Sequence, residues 1–125
     1  VSFHFSHGRM RNHNVTVTYY FFVQVAPPAP EKPQMVEVKA TSVVIEWDAP
    51  AYHQYYGIKG YIVGSKRFGS QHEWVNKTIT GTDIRKYILT NLEPETRYYV
   101  NVAATNKHGR GVTTQPQALI TETGE

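Results

Sequence analysis

The sequence predicts an all-β fold: a seven-stranded Greek-key β-sandwich over residues 33–123, with an extra β segment at the N-terminus. Three features predict it. From Tyr98 the side chains alternate, with Tyr98, Val100, Val102 and Ala104 on one face and Tyr99, Asn101, Ala103 and Thr105 on the other. That is the period of a strand with one buried face. Shorter runs of the same period recur along the chain, separated by turn residues and without a helical stretch between them. Finally, the spacing Leu92-x-Pro94-x-Thr96-x-Tyr98 leads straight into the long strand. Pro94 fixes φ and offers no ladder donor, so it belongs to the turn. A tyrosine that opens such a strand and bonds its hydroxyl back to the preceding corner is a tyrosine corner.

A length of 125 residues suits one domain plus a short extension. Forty per cent apolar residues, with nine Tyr, five Phe and two Trp, are enough for a core, which excludes a disordered chain. No run of eighteen apolar residues occurs, so no membrane span is expected within this sequence. Val1 and the residues after it do not read as a leader, and the sequence reads as a piece of a longer chain. The absence of Cys removes disulfides, thiolate metal sites and Cys nucleophiles, while leaving the compartment open. A net charge of +3 is no nucleic-acid signature.

Residues 1–25 read as two strands. Val1, Phe3 and Phe5 alternate with polar neighbours, His7 to His13 form a polar loop, and Val15 to Val25 alternate again. A lone hairpin is marginal in water. The segment is therefore expected to be either the end of a preceding β domain or an edge that pairs with a second copy or another chain. Residues 26–32 form a Pro-rich linker whose composition favours extended polyproline II, a semi-rigid spacer. Pro27 and Pro30 also fit a P-x-x-P ligand, without a basic residue on the N-terminal side to support it.

The domain then opens with Val36 and Val38 as the inward positions of its first strand. Val43, Ile45 and Trp47 face inward on the second, and residues 51–57 form a Tyr-heavy loop. The third strand follows Ile58, with Tyr61 inward. The fourth covers Glu73 to Ile79, and the fifth faces Tyr87 and Leu89 inward. The sixth begins at Tyr98 and breaks in a long hairpin loop, Asn106 to Gly111, where two glycines permit positive φ. The seventh runs from about Thr114 to Thr123, with either Leu119 or Ile120 inward and Pro116 near an edge or bulge.

The string from Leu92 to Gly111 resembles the L-x-P-x-T-x-Y-x-V-x-V-x-A-x-N-x-x-G-x-G signature of the fibronectin type III domain, at every fixed position. Trp47-Asp48-Ala49-Pro50 resembles that family's W-x-x-P, and Ile58 to Val63 its I-x-G-Y-x-V. The resemblance covers about three-quarters of the chain. It implies an immunoglobulin-like sandwich in which Trp47, Tyr61, Leu92, Pro94 and Tyr98 are structural. It also implies a non-enzymatic interaction and spacer module of a multidomain adhesion protein or cell-surface receptor, located extracellularly. An intracellular scaffold or sarcomeric module is the alternative. Some members carry an Arg-Gly-Asp integrin motif in the last hairpin; here Val112 follows Arg110-Gly111, and the motif is absent.

No catalytic set is present and no cofactor is expected: there is no G-x-S-x-G elbow, and the carboxylates are scattered over outward positions and turns. His4, His7 and His13 have no usual zinc spacing, so no metal is expected there. Binding is the expected job, and other proteins are the expected partners. Tyr52, His53, Tyr55 and Tyr56 offer rigid amphipathic contact area in one loop, and Lys107, His108 and Arg110 lie in another. Lys59, Lys66, Arg67 and Lys77 on the third and fourth strands are candidates for a basic face toward sulfated polysaccharide, or are solvated edge charges. Asn14-Val15-Thr16 and Asn76-Lys77-Thr78 are glycosylation sequons that lean toward a secreted chain.

Overall fold

A computed structural model describes residues 25–124, together with the backbone of two short N-terminal strands, 7–9 and 16–18. Those strands, β1 (His7–Arg9) and β2 (Thr16–Thr18), pair antiparallel with His7 opposite Thr18. His7, Gly8 and Arg9 are thus strand residues where the sequence suggests a polar loop. The strands expected around Phe3 and Phe5 and over residues 19–24, and the sequon at Asn14, lie outside the described residues.

The main body contains β3 (Glu31–Val38), β4 (Val43–Asp48), β5 (Gly60–Arg67), β6 (Val75–Thr80), β7 (Lys86–Leu89), β8 (Arg97–Asn106), β9 (Gly109–Thr113) and β10 (Gln117–Ile120). One sheet has the order β3-β4-β7. The other has the order β10-β8-β5-β6, with β9 also paired to β8. Every pairing is antiparallel. The two sheets enclose the predicted sandwich core. Val43, Ile45 and Trp47 enter it from β4, Tyr61 and Val63 from β5, Leu89 from β7, and Tyr98, Val100, Val102 and Ala104 from β8. Leu119, not Ile120, closes it from β10.

Three local expectations are corrected. Val36 is 46% exposed, and Met35 takes its place against the core. Met35 pairs with Ile45 and Glu37 with Val44, so one extra residue bulges out between them and reverses the alternation until Val38. The expected long loop over residues 106–111 is a tight turn, with only Lys107 and His108 between β8 and β9. Gly109 supplies the positive φ, 119°, whereas Gly111 is needed for proximity: a Cβ there would collide with the Pro27 carbonyl. The last strand is split around Pro116, and Thr114 bridges the gap. Its N–H donates to the Val102 carbonyl at 2.9 Å, and its hydroxyl accepts from the Val102 N–H at 3.0 Å.

The tyrosine corner forms as the spacing predicts. The Tyr98 hydroxyl accepts a hydrogen bond from the Glu93 N–H at 2.8 Å, across the Pro94–Glu95 turn. Leu92 is buried beneath it, and its N–H donates to the Thr41 carbonyl at 3.0 Å, joining the corner to the β3–β4 turn. Pro94 itself is exposed, as a residue that shapes a turn can be. Trp47 and Tyr61 meet in the core with ring centroids 5.2 Å apart. Arg85 crosses the edge of the core and donates from Nη1 to the Tyr61 hydroxyl at 3.2 Å. Burial pushes the Tyr61 phenol up, while the Arg85 charge and then the nearby Trp47 indole hold it back. The indole N–H of Trp47 is buried without a hydrogen-bond partner among the described residues.

Candidate functional site

Asn106, the last residue of β8, organises one end of the sandwich. Its Nδ2 donates to the Val25 carbonyl at 2.8 Å and to the Tyr56 carbonyl at 2.9 Å, and its Oδ1 accepts from the His108 N–H at 2.8 Å. Both amide protons and the carbonyl oxygen are thereby used, in a side chain only 6% exposed. One residue holds together the 51–57 loop, the β8–β9 turn and the chain entering from Val25. The sequence places Asn106 at a fixed position of the motif but does not reveal this role, because its partners lie 50 and 81 residues away.

The 51–57 loop is built to display its tyrosines. His53–Tyr55 forms a 3-10 turn, closed by the Tyr55 N–H to the Tyr52 carbonyl at 2.9 Å and the Tyr56 N–H to the His53 carbonyl at 3.1 Å. Tyr52 is 72% exposed and Tyr55 49%, their ring centroids 6.4 Å apart at a 45° tilt. His53 is exposed beside them, whereas Tyr56 turns in and packs against the core. Ile58, fully inside, anchors the loop's end. Tyr52 adopts the left-handed region at φ 56°, where an L side chain is strained. Tyr52→Gly is expected to raise the unfolding free energy by about 0.5–1 kcal/mol in urea denaturation, while removing contact surface.

Lys107 and His108 are exposed at the tip of the adjoining turn. Arg110 departs from them: its Nη2 donates to the Thr113 hydroxyl at 3.1 Å, and the side chain lines a groove along the outer face of the β5–β8 sheet. Tyr52, His53, Tyr55, Lys107 and His108 therefore share an end of the molecule, and Arg110 belongs to its flank.

The four basic candidates do not make one face. Lys66 lies on the outward side of β5, whereas Lys77 stands opposite Val63, on the core-facing side of the edge strand β6. Lys59 precedes β5 by one residue, about 23 Å along the chain from Lys66. Arg67 pairs with Glu93 at 3.1 Å, an exposed contact of little energetic weight. Strand alternation separates what proximity in sequence suggests is a patch. Among the described residues no three His, Asp or Glu side chains gather as a metal would require. None of the described helices is long and apolar enough to cross a membrane.

Asn76 sits exposed on β6, directly across from Gly64 of β5. Trp74 lies two residues before it, half-buried over the same sheet; in the sequence, one aromatic among many carries no signal. Just past the Arg67 end of β5, beside Trp74, the Phe68 and Tyr99 rings stand 5.8 Å apart, with the Arg97 guanidinium 5.0 Å from the Phe68 centroid.

Comparison with known proteins agrees with this architecture. The tyrosine protein phosphatase Lar of Drosophila melanogaster is 35% identical over 101 residues, covering 79% of this chain and 5% of that protein. The human Roundabout homolog 2 is 36% identical over 106 residues, 76% of this chain and 7% of its own length. The titin homolog of Caenorhabditis elegans is 30% identical over 105 residues, 82% of this chain and 1% of its own length. The chain thus spans a small fraction of the curated relatives it matches. Among solved structures, titin domains A168–A170 superpose with a TM-score of 0.68 at 27% identity, over 86% of this chain and 36% of that one. The FN5 domain of Drosophila Lar shares the fold with a TM-score of 0.65 at 24% identity, over 78% of this chain and 99% of that one. The family model for the fibronectin type III domain matches residues 28–119, beginning inside the Pro-rich stretch and ending at the last core residue of β10. This chain belongs to the fibronectin type III family.

Proposed function

We propose that this fibronectin type III module is a protein-binding element of a multidomain cell-surface receptor or adhesion protein, and that it engages its partner through the tyrosine end. The observation that carries the reading is the convergence on Asn106 of the loop bearing Tyr52, His53 and Tyr55 with the turn bearing Lys107 and His108. Exposed tyrosines on a braced loop give contact area with little ordering cost on binding. Lys107 adds a positive charge at the rim that steers an acidic partner. A likeness to the receptor-type tyrosine-protein phosphatase S of Gallus gallus supports the receptor context. The likeness to the titin homolog supports a second reading, a module of an intracellular scaffold.

The test is binding of the streptavidin-tetramerised chain to adherent mammalian cells, read by flow cytometry with and without soluble heparin. Staining that falls at least about tenfold in a Tyr52→Ser, Tyr55→Ser, Lys107→Ser variant is the expected result, that being the loss of one modest hot spot. A Val36→Ser, Ile88→Ser variant, altered on exposed residues of the other sheet, should stain as the parent does. Absent staining, or staining indifferent to the tyrosine-end variant, overturns the proposal. Staining abolished by heparin alone would transfer the function to the polysaccharide reading.

A further inference from the structure

The outer face of the β8–β5–β6 sheet carries a groove of about 450 Å³ whose walls include Trp74, Asn76, Asn101, Arg110, Thr113 and Pro116. Its floor is bare because β5 contributes Gly64 where neighbouring strands contribute asparagines, Asn76 on one side and Asn101 on the other. A Cβ at Gly64 would lie 2.8 Å from Asn76 Oδ1, 3.3 Å from Trp74 Cε3, and in collision with Asn101 Oδ1. Asn76 on β6 and Trp74, one residue ahead of that strand, therefore converge over the same glycine. Asn76 begins the sequon Asn76-Lys77-Thr78 and is exposed on an edge strand.

We propose that Asn76 carries an N-linked glycan and that its first N-acetylglucosamine lies in this groove against Trp74. The chemistry of the walls fits that occupant. The indole offers an apolar platform for the pyranose face and the acetyl methyl. The Asn101 amide, the Thr113 hydroxyl and the Arg110 guanidinium supply donors and acceptors for sugar hydroxyls and the acetamide carbonyl. The groove continues past Trp74 and Pro116 toward Tyr99 and Phe68, so the second sugar also has an aromatic wall. The attachment forms a bond between Asn76 Nδ2 and the anomeric carbon of the first sugar. The bond from that carbon to the phosphate oxygen of a lipid diphosphate-linked oligosaccharide breaks, the lipid diphosphate leaves, and one amide proton passes to solvent. The transferase and donor are those of the secretory pathway, so the modification rests on the extracellular reading.

The full chain, secreted from mammalian cells with Asn14→Gln to leave one sequon, tests this directly. Peptide-N-glycosidase digestion in heavy-oxygen water, followed by mass spectrometry, should mark Asn76 as occupied. The glycosylated chain should melt about 4 °C above its Thr78→Ala counterpart, a shift on the scale of one aromatic contact in a domain of this size. That increment should vanish when both carry Trp74→Ala, and should survive enzymatic trimming of the wild-type glycan to a single sugar. An empty Asn76 overturns the site. An occupied Asn76 whose increment ignores Trp74, or is lost on trimming, overturns the seating. Because the host forces secretion, a natural cytosolic location would defeat the receptor reading without altering any of these results.

Discussion

Asn106→Ala will lower the unfolding free energy by about 2–3 kcal/mol, the loss of three hydrogen bonds at about 1 kcal/mol each. The substitution strips partners from two backbone carbonyls, Val25 and Tyr56, and from the His108 N–H. Urea denaturation gives the free energy, and amide exchange gives the location: the His108 and Tyr56 region should open early, while β4 and β5 retain protection. Partner binding at the tyrosine end should fall with it, since the loop and the turn lose their common brace. An unchanged midpoint, or exchange that rises evenly over the sheet, would remove Asn106 from its organising role.

Tyr98→Phe is the second large effect, about 1–3 kcal/mol, the cost of leaving the Glu93 N–H without its acceptor in a partly buried corner. The ring stays, so the packing over Val100 and Leu119 is retained and the loss reports the hydroxyl alone. The corner also holds Leu92 in place and, through the Leu92 N–H to Thr41 carbonyl bond, the β3–β4 turn of the opposite sheet. A denaturation midpoint equal to that of the parent would contradict the bond. The effect should appear mainly in stability, because the corner is separated from the tyrosine loop by the whole length of β8.

Where side-chain period and turn chemistry act locally, the sequence was readable. Alternation placed Trp47, Tyr61 and Tyr98 inside, and Pro94 before Tyr98 located the corner. It failed where a residue's role depends on a remote neighbour. The bulge at Val36 depends on how β3 seats against β4, so no count along β3 alone reveals it. Gly111 reads as a loop glycine, yet its reason is the Pro27 backbone 84 positions earlier. The same limit governed the sites. Clustered loop residues such as Tyr52 and Tyr55 were visible, whereas Trp74 gained meaning only when the sheet brought Gly64 and Asn101 beside it. Adjacent basic residues misled for the opposite reason, because a strand sends neighbours such as Lys66 and Arg67 to opposite sides.

The contact between Pro27 and β9 has a mechanical consequence. The Val112 N–H donates to the Pro27 carbonyl at 3.0 Å, Asn106 holds the Val25 carbonyl, and Pro27 and Pro30 are buried. A pull applied to the chain ahead of Val25 is therefore resisted first by β9 and by the end of β8, before any load passes along the backbone into β3. In a string of modules under tension, the first bonds to bear force are the ones that hold the tyrosine loop and its neighbouring turn in register. On the proposed reading, load arriving from the N-terminal side would reach the partner-binding end of the domain before the rest of the sandwich.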